Sequence, residues 1–431
     1  MSAGLFQADD RELLLDLLGK ATAGPLESAE EPRLWEAQRA YAAAAARLGF
    51  EVAHHASAGP EVLDRPDVPV PVRRAAARMG SAYLACQPNL VLRLGRRSGR
   101  AATVMFNVHL DTVAGVPPPA FRDGRFIGRG AIDAKGPAVA LLAGVRAALA
   151  AEPALAGEVC VLVQAVAGEE GGAIGVHGTR PLVEAGFLGR LNVFCEPTGL
   201  RFLDHSTAAM TARISVRGRD ACDDQPGAGH NATVLLGYLA ARLSRRLGEQ
   251  VGVAGGRLCV GGLETGPLHN RVYGSGRLLL NIAYCSTEEA AAIERLAQEA
   301  VAEGLARFSR RYAGVAELAR TAADAAGITR LEWDKRGLPA LRNRDAGLEA
   351  LLERGAGVPR HDGQALAEAF TCDAIWMQPT GAYTVVLGPG TLDANRAHAA
   401  GEFAELAELE RFAAAVARIL LAFARAKDPA A

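Results

Sequence analysis

The sequence predicts an α/β fold with a mostly parallel sheet and a smaller α+β domain inserted into it. Continuous apolar runs such as 159–167 are typical of strands that are buried on both faces. Helical patterns alternate with these runs, and this β–α–β order is typical of a parallel sheet. After about Leu203 the strands change to alternating apolar and polar residues, which predicts the inserted domain.

The elements of the first domain follow from the periodicity of apolar residues. Helices are predicted over 10–18, 32–48 and 72–85. A helix over 135–151 carries Pro137 in its first turn, where proline is tolerated. Strands are predicted over 103–108, 159–167, 191–195 and 383–387.

The predicted inserted domain begins with a strand at 211–216, in which Ala212, Ile214 and Val216 share one face. A helix over 231–247 follows, then strands at 257–263 and 276–284, a helix over 287–306 and a strand at 328–333. The order β-α-β-β-α-β is that of a ferredoxin-like module. We therefore expect a first domain over 1–204 and 335–431, and an insertion over 205–334.

Composition excludes several classes of protein. The 431 residues are 50% hydrophobic and 22% charged, with a net charge of −1, so a disordered chain is excluded. A field near zero argues against nucleic acid or an anionic membrane as a partner. The seven cysteines are dispersed without a CxxC pair, which argues against a disulfide framework. With no signal-peptide pattern and no apolar run long enough to cross a bilayer, we expect a cytoplasmic protein.

Residues typical of metal ligands follow the predicted strands. His109 and Asp111 come after the first strand, Asp133 lies in a glycine-rich stretch, and further acids and a histidine follow at Glu169, Glu170, Glu196 and His398. In an open α/β sheet the ligand crevice lies at the carboxyl ends of the strands. A set of histidines and carboxylates suits Zn²⁺ or a similar divalent ion.

These motifs resemble those of the M20 metallopeptidases, the group of acetylornithine deacetylase, succinyl-diaminopimelate desuccinylase and carboxypeptidase G2. The resemblance spans about 85–431, with five motifs in the same order. It implies that His109 binds one metal ion, that His398 binds the other and that Asp133 bridges them. It also implies that Glu170 and Glu196 each complete one metal site, that Glu169 is the general base and that Asp111 orients His109.

The resemblance implies a reaction as well as a ligand set. Two divalent ions, Zn²⁺ with Co²⁺ or Mn²⁺ as alternatives, would activate a bridging water, and Glu169 would accept its proton. The substrate would be a small amide: an N-acyl amino acid, a small peptide or a related metabolite. The family resemblance further implies a homodimer formed through the inserted lid domain.

The predicted lid departs from the family pattern at two places. Where the family has a histidine in a His-Ser-Ser-x-Pro stretch, this chain reads Ala-Cys-Asp-Asp-Gln-Pro, so that Cys222 takes the histidine position and His230 is a candidate replacement. A thiol is a poor donor to a developing oxyanion. The family's substrate-binding Asn is present as Asn270, but Ala283 stands where the partner Arg is expected, and Arg271 or Arg277 is a candidate substitute.

These departures leave three functions open. The first is hydrolysis of a small amide, either an ordinary one or one whose amine part lacks the usual carboxylate. The second is acyl transfer or amide formation at the same metal site in specialised metabolism. The third is a metal-binding homologue without catalysis. The complete set of predicted ligands, together with Glu169, favours an enzyme.

Overall fold

The computed structural model describes residues 4–96, 99–115, 117–253, 255–361 and 371–426. The chain divides into two compact units, the first formed by Met1–Ser206 with Leu341–Ala431 and the second by Thr207–Ala340. The sequence placed these boundaries at 204/205 and 334/335. Each unit is described by itself, and the second is called the inserted unit.

The first unit is built on a six-stranded sheet in the part of the chain that the structure describes. Its strands are, in spatial order, Glu51–Ser57, Pro88–Leu94, Cys160–Val166, Thr103–His109, Leu191–Phe194 and Tyr383–Val386. The last four are mutually parallel, and the first two form an antiparallel edge. Four of the six strands pair in parallel, which confirms the predicted mostly parallel sheet. Each of these four strands was predicted from an apolar run.

The helix Lys135–Ala151 is the central helix of the first unit and is buried along most of its length. It packs closely on the last helix, since a Cβ on Gly144 would lie 2.6 Å from the carbonyl oxygen of Ala413. Among the described residues of this unit, the other helices are Ala8–Leu18, Leu34–Ala46, Val70–Met79, Ala82–Ala85, Leu155–Glu158, Thr179–Glu184, Ala346–Ala350 and Leu406–Arg425. Short 3₁₀ helices lie at Pro60–Leu63, Arg100–Ala102 and Asp373–Thr380, and a π-helical turn lies at Leu351–Gly355.

Two small sheets complete the first unit. One joins Ala120–Arg122, Arg125–Ile127 and Phe403–Glu405, and the other pairs His205–Ser206 with Leu341–Arg342. The first brings the chain before Asp133 beside the chain after His398. No helix in the described residues is long and apolar enough to cross a membrane.

The inserted unit is a four-stranded antiparallel sheet with helices packed on it. The strands are, in spatial order, Arg257–Glu264, Ser275–Tyr284, Ala208–Arg217 and Thr329–Lys335. The helices are Ala232–Val253, Thr287–Tyr312 and Ala319–Ile328, and a two-residue ladder joins Ala221–Cys222 to Arg271–Val272. The predicted β-α-β-β-α-β order is present, with 319–328 as an additional helix that the sequence did not predict.

Candidate metal centre

The parallel strands carry the predicted metal ligands to one edge of the sheet. His109 is the last residue of the strand Thr103–His109. Glu169 and Glu170 follow the strand Cys160–Val166, and Glu196 follows Leu191–Phe194. Parallel strands end on the same side of a sheet, so the topology alone brings these side chains together.

The loop that carries Asp133 depends on a glycine. Gly130 has a φ of +86°, and a Cβ built there would lie 2.9 Å from Cδ of Lys135 and 3.0 Å from Cγ2 of Thr112. A side chain at this position would be strained by the positive φ and would displace the buried Lys135 side chain. The close turn places Asp133 between the ends of the strands and the segment that carries His398.

Asp133 is the point that two groups of ligand atoms share. Its Oδ1 lies 2.8 Å from Nε2 of His109, and its Oδ2 lies 3.0 Å from Nε2 of His398. Glu196 completes the first group, with Oε1 3.9 Å from Nε2 of His109. Glu170 completes the second, with Oε1 2.9 Å from Nε2 of His398. Within each group the ligand atoms lie within 4.8 Å of one another.

The electrostatics of the site indicate a place for added positive charge. Burial raises the pKa of Glu196 to about 8, and it also raises the pKa values of Glu169 and Glu170. Hydrogen bonds to Asp133 and Glu170 raise the pKa of His398 to about 10. Crowding several buried carboxylates is costly unless cations compensate them.

The donors fit two divalent ions that share Asp133. Each group offers one imidazole nitrogen and carboxylate oxygens, which are ligands that Zn²⁺, Co²⁺ and Mn²⁺ all accept. Burial, the largest single influence, opposes charge on both His109 and Asp133. Hydrogen bonds and the surrounding charges together outweigh it, so the pKa of His109 is raised and that of Asp133 is lowered. A metal ion bound to these atoms would take a neutral imidazole and an ionised carboxylate.

Asp111 contacts His109 mainly through its backbone. Nδ1 of His109 lies 2.9 Å from the carbonyl oxygen of Asp111 and 3.8 Å from its carboxylate Oδ1. The carboxylate Oδ2 instead accepts the backbone N–H of Glu170 at 3.0 Å. Asp111 thus links the loop after the strand Thr103–His109 to the loop that carries Glu169 and Glu170.

Glu169 lies among the same buried charged side chains. It is 9% exposed and forms a further group with His109 and Glu170 whose ligand atoms lie within 4.8 Å. Glu169 and Glu170 are neighbours in the bend and turn that follow the strand Cys160–Val166. Of the two, only Glu170 bonds to His398 in the described residues.

Sequence reasoning assigned no role to three buried charged residues near this centre. Asp373 is fully buried, accepts a hydrogen bond of 2.5 Å from Thr179, and has a pKa that burial raises to about 7. Arg129 and Glu402 form a buried ion pair beside Asp133. The only sequence signal for Asp373 is an acid within an otherwise apolar segment, 372–377.

The candidate substrate residues lie in the inserted unit. Cys222 and Arg271 are directly opposite in the short ladder, and both are exposed, as is Asn270. Ala283 is 9% exposed within the strand Ser275–Tyr284.

His230 is held inside the inserted unit by both ring nitrogens. Nδ1 accepts the backbone N–H of Arg219 at 2.8 Å, so Nε2 carries the proton and donates to Asp324 Oδ2 at 3.1 Å. Its contacts are those of a residue that fixes a loop, and a role in binding substrate would require it to leave them.

Residues 105–422 match the model of peptidase family M20/M25/M40. The chain belongs to this family. It is therefore a hydrolase of the metallopeptidase class, as the motifs predicted. No curated protein matches the sequence significantly.

Solved structures of M20 peptidases share the fold at low sequence identity. A tripeptidase from Staphylococcus aureus is 16% identical with a TM-score of 0.70, over 98% of this chain and 100% of that chain. An M20 metallo-carboxypeptidase from Sulfolobus solfataricus is 12% identical with a TM-score of 0.66, over 97% and 100%. A protein of Bacillus subtilis, described as a dinuclear metal-binding peptidase of the M20 family, is 12% identical with a TM-score of 0.56, over 96% and 98%.

Proposed function

We propose that this hydrolase uses two divalent metal ions to cleave an amide bond of an N-acyl amino acid, a small peptide or a related metabolite. The observation that carries the proposal is Asp133, whose two carboxylate oxygens face His109 and His398 respectively. A carboxylate in that position suits a bridge between two metal ions. Zn²⁺ is the first candidate, and Co²⁺ and Mn²⁺ suit the same donors.

The residues of the centre divide into ligands and a base. Asp133 is common to both sites, with His109 and Glu196 completing one, and Glu170 and His398 the other. When bound there, the ions would supply a nucleophile from water and polarise the amide carbonyl. Glu169 is assigned as the general base, which accepts a proton from the attacking water and delivers it to the leaving amine.

Small peptides belong in the first substrate panel. Similar structures include the tripeptidase of S. aureus and human carnosine dipeptidase 1, which is 16% identical with a TM-score of 0.66 over 98% of this chain and 99% of that chain. Cys222 is exposed, and Ala283 stands where the family's substrate-binding Arg is expected. Both departures support substrates other than those of the deacetylase group. N-acyl amino acids, and amides whose amine part lacks a free carboxylate, complete the panel.

The test combines metal analysis with an amidase screen. Wild type, Glu169→Gln and the exposed control Glu353→Gln are loaded with zinc, and released amine is measured. We expect about two metal ions per chain, and a loss of turnover of about 10²–10⁴-fold for Glu169→Gln alone. Turnover that survives in Glu169→Gln would remove it as the base. Bound metal without hydrolysis, but with consumption of an added amine acceptor, would favour acyl transfer instead.

We also propose that the protein forms a homodimer through the inserted unit. Arg257–Glu264 is an edge strand of its sheet, and Val260 and Leu263 are 37% and 39% exposed on it. Val253, at the end of the preceding helix, is 92% exposed. An edge strand with exposed apolar residues favours pairing with a second copy.

A cytoplasmic location remains our proposal. Its support is that the cysteines form no disulfide among the described residues, as suits a reducing compartment. Fractionation of the native cell would test it.

A further inference from the structure

We infer that Arg129 and Glu402 are positioning residues whose buried ion pair holds the turn carrying Asp133 against the turn carrying His398. The inference rests on the proposed metal centre. It goes beyond that centre, because neither residue is one of its ligands. The pair determines whether the two metal sites exist in the right geometry together.

Glu402 uses both carboxylate oxygens on the turn that carries Asp133. Oε1 accepts the backbone N–H groups of Ile132 at 3.2 Å and Asp133 at 3.3 Å. Oε2 accepts Nη1 of Arg129 at 2.7 Å. The Glu402 side chain is 1% exposed and that of Arg129 is 10% exposed. A buried carboxylate with three donors is a built contact, and no water is needed to complete it.

The backbone adds to this connection. The N–H of Gly128 donates to the carbonyl oxygen of Glu402 at 3.0 Å, and the next residues, Phe403–Glu405, pair with Arg125–Ile127. The turn before Asp133 is therefore tied to Glu402 by main chain and side chain alike. Movement of Glu402 would move the backbone from which the Asp133 carboxylate projects.

On its other side, Glu402 ends the turn that presents His398. His398 and Arg396 have φ values of +63° and +55°, in the left-handed region that side chains disfavour. Asn395 stabilises the turn, since its Oδ1 accepts the N–H of Thr391 at 2.9 Å and its Nδ2 donates to the carbonyl oxygen of Phe403 at 3.1 Å. A backbone in this disfavoured conformation persists only when several surrounding contacts hold it there. Glu402 supplies the contact that joins this turn to the ligand shared by both sites.

The chemistry of the pair requires a carboxylate. All three of its partners are donors, and Glu402 offers acceptors only. In Glu402→Gln, an amide –NH₂ must face either Arg129 or the two backbone N–H groups, and the guanidinium loses its counter-ion in a buried place. Because Glu and Gln side chains have nearly the same volume, the substitution changes the charge and the donors of the site but not its packing.

The experiment measures zinc binding to metal-free protein by calorimetry, so that its readout does not depend on turnover. Wild type is compared with Glu402→Gln and Arg129→Lys. The control is Glu405→Gln, which removes an exposed ion pair to Arg125 between the same two segments. We expect Glu402→Gln to weaken zinc binding at both sites by about 10–100-fold, Arg129→Lys to weaken it less, and Glu405→Gln to bind as wild type does.

Each outcome has a definite consequence. Wild-type affinity in Glu402→Gln would overturn the inference, as would weakening at one site alone. If Glu402→Gln does not fold, Arg129→Lys carries the test, and wild-type affinity in it would overturn the inference. Zinc binding without amidase activity in wild type would contradict the proposed function and leave the positioning role standing. No zinc binding in wild type would overturn both.

Discussion

Asp133 and Glu196 differ in how many partners depend on them. Both oxygens of Asp133 face a histidine, whereas the only histidine that Glu196 faces in the described residues is His109, at 3.9 Å. In the proposed two-metal centre, Asp133 would be shared by both sites and Glu196 would serve one.

We therefore expect the two substitutions to give different metal contents. Asp133→Asn should lose both ions, because a neutral amide cannot bridge them. Glu196→Gln should retain about one ion per chain. Elemental analysis after dialysis against trace zinc measures both. Equal metal content in the two variants would contradict the assignment of Asp133 as the bridge.

His177 is a second residue whose chemistry the structure defines. It is fully buried, and burial lowers its pKa to about 4 from a usual value of 6.5. Its Nε2 lies 3.0 Å from Gln87 Oε1, and the amide nitrogen of Gln87 donates to the carbonyl of Tyr83. The imidazole is thus neutral and donates through Nε2.

This burial makes His177 an acid-sensitive residue. The unfolded chain protonates this histidine below pH 6.5 and the folded chain does so only below about pH 4, so its contribution is complete above pH 6.5 and is lost as pH falls. The loss amounts to about 3 kcal/mol by pH 4. In His177→Gln, the free energy of unfolding should fall less steeply from pH 6.5 to 4, as followed by denaturant titration. Wild type, measured alongside it over the same pH range, is the reference. An unchanged slope in His177→Gln would contradict the prediction.

Sequence patterns indicated the residues of the proposed metal centre but could not indicate the residues that support them. His109, Asp133 and Glu170 lie in recognisable motifs, and the strand ends bring them together. Glu402 gave no such signal, because its role depends on backbone N–H groups distant along the chain. The same holds for His230, whose two ring contacts appear only in the folded inserted unit.

Among the elements, the helix Lys135–Ala151 was predicted with its observed bounds. Proline and glycine near its start and a long apolar run make its limits clear from local residues. The helix Ala319–Ile328 was missed, because its short Ala-rich sequence has little periodicity and packing determines it. The antiparallel strand Pro88–Leu94 was also missed, since its pairing partner lies far along the chain.

The contact between the two long helices of the first unit gives a test at this scale. A Cβ on Gly144 would meet the carbonyl oxygen of Ala413 at 2.6 Å and Cβ of Val416 at 2.7 Å. Gly144→Ala should therefore destabilise the protein by about 1–3 kcal/mol, despite the higher helix propensity of alanine. Gly157→Ala, where no atom lies within 4 Å, is the matched control and should be neutral or stabilising. Thermal denaturation compares them, and equal midpoints would contradict the prediction.

For the whole molecule, the proposed dimer can be tested without reference to catalysis. Val260→Lys places a charge on the edge strand of the inserted unit and should shift the protein from dimer to monomer. Val315→Lys, at a similarly exposed valine of the same unit, should leave the dimer intact. Light scattering with size-exclusion chromatography measures the mass. A wild-type monomer, or a Val260→Lys dimer, would contradict the proposal.

The chain leaves the first unit after Ser206 and returns to it at Leu341, and these two residues are paired in a short antiparallel ladder. The chain therefore leaves and rejoins the first unit at one place, as it does at the two ends of a tight hairpin. A folded segment with adjacent ends adds little closure entropy to its host. Insertion or exchange of a segment at this place would therefore leave unbroken the sheet that carries the proposed metal ligands.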